Sequence, residues 1–200
     1  METSLTTSSA MSGGRPPRRA LTDSARLGLG LFIFTEVMLF AGFISAFIIV
    51  QSGAPAGSWP PPGQPRLPIE RTAINTLALL ASGVALFIAG RKFHGPPPGS
   101  ATPWMGVALA LGSFFVVAQG MEWAALLRDG LTITSSQLGS FFYLIVGMHA
   151  LHALAAIVAL AWAWRAQLLG RLSGSRLGAV QLFWYFVVLI WPILYWQVYL

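Results

Sequence analysis

The sequence predicts an all-α polytopic membrane protein, a bundle of five transmembrane helices, and three observations carry that prediction. Of its 200 residues, 56% are hydrophobic and only 9% charged, against roughly 25% charged in a soluble domain. Five apolar stretches, at about 26–50, 72–90, 103–127, 137–164 and 178–200, each come near or exceed the ~20 residues that cross a bilayer as helix. Barrel strands are excluded, because they run to about half that length and alternate polar with apolar residues. There is no cysteine, which removes disulfides, iron–sulfur ligation and thiolate chemistry.

Residues 1–25 are rich in Ser, Thr, Gly, Pro and Arg and are expected to form a disordered basic tail; residues 26–200 form the transmembrane domain. The first stretch is too long for a cleavable signal and holds an acid, Glu36. The loop that follows carries Trp59-Pro60-Pro61-Pro62 and should be extended. The third and fourth stretches are long enough to tilt or protrude. Trp59, Trp104, Trp123, Trp162 and Trp164 lie near span borders, as an interfacial aromatic belt requires. Pro192 should kink the last helix. Small residues four apart (Gly42 and Ala46, Ala78 and Ser82, and the series Ala155, Ala159, Ala163) are candidates for close helix contact.

The net charge of +6 has its explanation in topology. Five spans place Arg15, Arg18, Arg19, Arg26, Arg91, Lys92, Arg165, Arg171 and Arg176 on one side, and Arg66, Arg71 and Arg128 on the other. Basic residues collect on the cytoplasmic side, so the N-terminus is expected inside and the C-terminus outside, with anionic lipid and not nucleic acid as the partner of these charges.

An ionisable side chain inside a span costs ~2.5–3.5 kcal/mol even on the lenient scale, so each needs a partner or a task. Four qualify: Glu36, Glu122, His149 and His152. At helical rise Glu36 lies roughly 15 Å deep and His152 roughly 18 Å from the same side, which puts them in one layer. The hydroxyl of Tyr185, about 10 Å deep, could reach toward it. A second polar layer, nearer the outside, holds Asn75, Gln119 and Glu122. His149 and His152 share a helix face and are read either as a ligand or relay pair, or as interhelical hydrogen bonders that fix packing. Two histidines one turn apart cannot sandwich a haem, and the third histidine, His94, falls in a loop. No metal or cofactor is therefore expected on this chain. Glu36 is either a protonated acid bonded to a histidine of another helix or a proton-exchanging, lipid-facing carboxyl. Glu122 is expected to pair with Asn75 or Arg71.

Several runs carry a family resemblance. Thr35-Glu36-Val37-Met38-Leu39-Phe40-Ala41-Gly42-Phe43 resembles the glutamate helix of subunit III of haem–copper oxidases. Trp59-Pro60-Pro61, Leu67-Pro68 and Asn75-Thr76-Leu77-Ala78-Leu79 resemble the loop and helix that follow it. Gln119-Gly120-Met121-Glu122-Trp123, then Gly147-Met148-His149-Ala150-Leu151-His152, then Phe183-Trp184-Tyr185-Phe186-Val187 and Trp191, complete the order over about residues 26–200. Two positions depart from the family pattern: Tyr185 stands where a histidine is usual, and Val188 where an aspartate is usual. The resemblance is to a five-helix bacterial form lacking the two N-terminal helices of longer members.

That resemblance implies a non-catalytic subunit of the bacterial cytoplasmic membrane that packs on subunit I, neighbours subunit II and binds phospholipid. It implies support for proton uptake and for the durability of the active centre in aerobic electron transport. Haem and copper would reside in the partner subunits, and cytochrome c (or a quinol) would act only indirectly on this chain. By position Glu36, His149 and His152 correspond to the family's buried carboxyl and helical histidines. The competing readings are an accessory subunit of a nitric oxide reductase and a stand-alone proton or small-solute conduit. The lack of an inverted repeat or a pair of broken helices argues against the conduit.

Overall fold

The computed structural model describes residues 19–200 apart from 56, 66 and 98. The expectation for residues 1–18 of the tail, and the placement of Arg66, lie outside the described residues. Among the described residues five helices follow one another without a strand: α1 Arg19–Gly53, α2 Ile69–Lys92, α3 Thr102–Arg128, α4 Gln137–Leu168 and α5 Gly174–Tyr199. All five are long and apolar enough to cross a membrane, so the chain is a multi-pass membrane protein.

The helices overrun the apolar stretches at several borders, because turn chemistry and not hydropathy ends them. Residues 19–25 of the basic segment, expected to be disordered, are helical as the first turns of α1. The prolines that would stop a helix, Pro16 and Pro17, lie just upstream, and nothing between Arg19 and Arg26 breaks one. Helix α4 starts where Ser136 caps it, its side chain accepting from Gly139 N at 3.0 Å. It ends only before Gly170, whose φ of 64° needs a residue without a Cβ. Helix α5 runs on through Pro192 to Tyr199.

Helices α2, α3, α4 and α5 pack in a ring in which each touches its neighbours, and α1 leans on the outside against α4 and α5 alone. Close approach depends on glycines whose missing Cβ is filled from across the interface. Trp184 of α5 fills the space at Gly112 of α3, Val188 lies over Gly83 of α2, and Gln181 lies over Gly90. The small-residue pairs expected to serve there do so only in part: Ser82 and Ala163 are fully buried, but others face outward. Gly42 has no atom within 4 Å of where its Cβ would be, and Ala46 and Ala155 are exposed. A spacing of four fixes one face of a helix but not what that face meets. The outward surfaces carry large apolar side chains such as Leu77, Phe87, Val158 and Leu189, as hydrocarbon contact requires.

Candidate functional site

The α1 sequence around Thr35 is helical throughout, so Glu36 and Phe40 sit one turn apart on the face turned to α4 and α5. Glu36 Oε2 lies 3.0 Å from His152 Nε2 of α4, with both side chains mostly buried. It is the only ion-pair contact within 4.0 Å among the described residues. The other ring nitrogen, Nδ1, is 2.8 Å from the Met148 carbonyl. A carbonyl can only accept, so Nδ1 carries the proton and the neutral ring would present a bare lone pair to Glu36. A bare carboxylate there finds no donor for Oε2. Two acceptors 3.0 Å apart repel, so one further proton must lie between them, on the acid or on the ring. The pair then carries no net charge in either arrangement, which is what the membrane interior favours.

His149 behaves differently from its neighbour one turn on. It is 1% exposed and packed among Phe40, Phe115 and Trp191, with its ring tilted 33° to the Trp191 indole at 4.9 Å. Neither of its nitrogens meets a hydrogen-bond partner among the described residues. Phe40 stands edge-on to both histidines, at 5.6 Å from His152 and 6.4 Å from His149. The shared-face reading thus gives one imidazole paired to an acid and one enclosed in aromatic rings, divided by Phe40. Tyr185 does not join them: its hydroxyl is buried without a hydrogen-bond partner among the described residues.

The second polar layer comes together between α2, α3 and α5. Asn75 Nδ2 donates to Gln119 Oε1 at 3.0 Å and to Glu122 Oε1 at 3.1 Å. Glu122 Oε2 accepts from Thr72 Oγ1 at 2.9 Å. Gln119 Nε2 donates to the Tyr199 hydroxyl at 3.2 Å. Trp191 Nε1 donates to Thr76 Oγ1 at 2.8 Å, and Thr76 donates in turn to the Thr72 carbonyl. Of the two partners expected for Glu122, Asn75 makes the bond and Arg71 forms no ion pair within 4.0 Å. Thr72, Thr76, Trp191 and Tyr199 belong to this network and went unnamed as site residues from sequence. The signal was available in part: Asn75 and Thr76 lie three and four residues after Thr72 on α2, on the same side of the helix.

Neither histidine suits a metal or an axial haem position here. Both nitrogens of His152 already face polar neighbours, and His149 is walled in by rings. No group of three or more His, Cys, Asp or Glu side chains gathers among the described residues. What the arrangement offers is a charge-neutral acid–imidazole pair able to hold and pass a proton, beside a hydrogen-bonded network that locks three helices.

Five spans, an external helix tied on by one acid–imidazole pair, and a polar network closing the rest define the class: an all-helical integral membrane subunit with an internal carboxyl–histidine contact. Comparison with known proteins supplies the family. Residues 5–200 match the family described as cytochrome c oxidase subunit III, and the chain belongs to it. It is 29% identical to cytochrome c oxidase subunit 3 of Synechocystis sp. over 182 residues, covering 89% of this chain and 76% of that one. It is 30% identical to the Ovis aries protein of that name over 193 residues, 90% of this chain and 70% of the relative. The probable cytochrome c oxidase subunit 3 of Mycobacterium leprae is 28% identical over 176 residues, 86% of each.

Proposed function

We propose that this chain is the non-catalytic subunit III of a bacterial haem–copper terminal oxidase, sited in the cytoplasmic membrane with its N-terminus inside. In this reading it packs on subunit I, borders subunit II, binds phospholipid and supports proton uptake and the durability of the active centre. The redox chemistry belongs to haem and copper in the partner subunits, and electrons arrive from cytochrome c or a quinol without touching this chain. The residues at work are Glu36 and His152, which hold one exchangeable proton between α1 and α4, with His149 as an aromatic-packed brace. Asn75, Gln119 and Glu122 keep the α2–α3–α5 layer in register, whereas Tyr185 has no part in either.

The observation that carries this reading is the 3.0 Å contact between Glu36 and His152. It joins the least enclosed helix to the bundle through a pair whose only chemistry is protonic. A nitric oxide reductase accessory subunit is the second reading, favoured by Tyr185 and Val188 at positions where the family usually has histidine and aspartate. Affinity purification of the native complex, with peptide identification of its neighbours and a visible spectrum, tests both. An oxygen-reducing subunit I and subunit II are expected with it. A nitric-oxide-reducing partner would move the chain to the second reading, and recovery with no redox partner would remove both.

A further inference from the structure

A buried polar group in a folded protein is nearly always hydrogen-bonded, and His149 is an exception. It is 1% exposed, and neither ring nitrogen has a partner among the described residues. Phe40 of α1, Phe115 of α3 and Trp191 of α5 pack on the ring. The two phenyl groups offer it no polar atom, and Trp191 Nε1 is committed to Thr76. The same imidazole lines a cavity of about 190 Å³ between α3 and α4, whose other aromatic walls are Phe115, Trp123 and Trp191. Gly120 and Leu154 border it from the outer surface of the bundle, the first exposed and the second 50% exposed. Gly120 lies eight residues, or about 12 Å, below the end of α3 at Arg128, so this mouth opens into hydrocarbon and not into water.

Size, polarity and depth define what fits. An apolar cavity of about 150 Å³ takes a benzene ring, so this one has room for one six-membered ring with a small substituent. No acid, lysine or arginine is among its lining residues, and a charged molecule would meet no counter-charge at a depth where charge is costly. Gln119 also lines it, but its amide is engaged by Asn75 and Tyr199. His149 is then the polar handle. A neutral imidazole has one N–H and one bare nitrogen. A hydroxyl answers either, accepting from the first or donating to the second. Aromatic walls favour a flat ring that can stack or stand edge-on. We propose that this cavity is a binding site for a neutral, membrane-soluble molecule of the phenol type, its ring among Phe115, Trp123 and Trp191 and its hydroxyl on a ring nitrogen of His149. An acyl chain would fill the space without answering the imidazole, and water would answer the imidazole without matching the walls. The site is built from this chain's own residues and does not rest on the oxidase reading.

The test uses the full chain, with whatever subunits purify with it, in lipid bilayers. The chain has only three histidines, so labelling them with ¹⁵N gives a ring spectrum that solid-state NMR resolves, and His149→Leu assigns the signals of interest. Phenol is the probe, and toluene, with the same shape and no hydroxyl, is its competitor at matched concentrations within the bilayer. Phenol should move the His149 ring nitrogens to a saturating limit and leave those of His94 and His152 in place. Toluene should reverse the shift only at about fivefold higher concentration, the worth of one neutral hydrogen bond. Gly120→Leu, whose Cβ meets open space, should close the mouth and abolish the response, whereas Gly42→Leu, equally open but on α1, should not. His149 nitrogens unmoved by phenol would overturn the proposal. Toluene competing on equal terms would do the same, leaving a cavity for acyl chains only. A His149 N–H that exchanges with heavy water within seconds before phenol is added would make water the partner and would also overturn it.

Discussion

Replacing Asn75 with Leu should loosen the bundle by about 2–3 kcal/mol, and the figure follows from what Asn75 touches. Its side chain is 6% exposed and donates two hydrogen bonds, to Gln119 Oε1 and to Glu122 Oε1. Leucine has nearly the same shape, so packing changes little and the loss is polar. A bond between neutral side chains inside a membrane protein is worth about 0.6 kcal/mol on average and up to about 1.7. A bond to a charged acceptor is worth about 1.5–3 kcal/mol in water-soluble folds. Glu122 borders a groove between α2 and α3 and recovers part of its loss there, which holds the total near the lower end. Glu122→Gln is the contrasting perturbation: its amide oxygen still accepts from Asn75, and the one hydroxyl proton of Thr72 can turn to the Pro68 carbonyl, 2.8 Å from Oγ1, so the cost should stay below about 1 kcal/mol. Reversible unfolding in mixed dodecylsulfate micelles, followed by tryptophan fluorescence, measures both. If Asn75→Leu costs no more than Glu122→Gln, the network does not hold α2 and α3 together.

Three further outcomes are expected. In the purified oxidase, His149→Leu and His152→Leu should shorten the working life of the complex and leave its haem bands unmoved; a lost band would mean that one of these rings ligates metal. Gly112→Ala should cost about 1–3 kcal/mol by driving a methyl group into the Trp184 ring, whereas Gly42→Ala, with open space around it, should be neutral or slightly stabilising in the same unfolding assay. Because the chain has no cysteine, single replacements report topology cleanly. In intact cells Ser58→Cys should react with a membrane-impermeant maleimide and Ser100→Cys should not, and the reverse labelling would invert the orientation read from the arginines.

The five spans were legible because hydrocarbon demands length and apolarity, and those are written residue by residue. Helix ends were less so. Residues 19–25 are polar yet helical, and α4 runs to Leu168, because caps and glycine turns set those limits. Depth counting put Glu36 and His152 in one layer, where the structure has them in contact, since rise per residue is constant along a helix. It could not separate His152 from His149, three residues away on one face, because which imidazole meets the acid depends on the rotation of α4 against α1. The same ignorance of rotation hid Thr76, Trp191 and Tyr199, whose polar atoms matter only through partners on other helices. It also made Gly42 look like a contact point and left Gly83, Gly90 and Gly112 unmarked.

The measurement closest to the centre is assembly of the native complex carrying Glu36→Gln or Glu36→Lys, resolved on blue-native gels. A glutamine amide can donate to the His152 lone pair and keeps the site uncharged, so that complex should migrate with the unaltered one. A lysine adds an uncompensated charge about 15 Å into the membrane, at ~2.5–3.5 kcal/mol or more, and its complex should be missing. Equal assembly of the two variants would mean that Glu36 is not held between α1 and α4 at all.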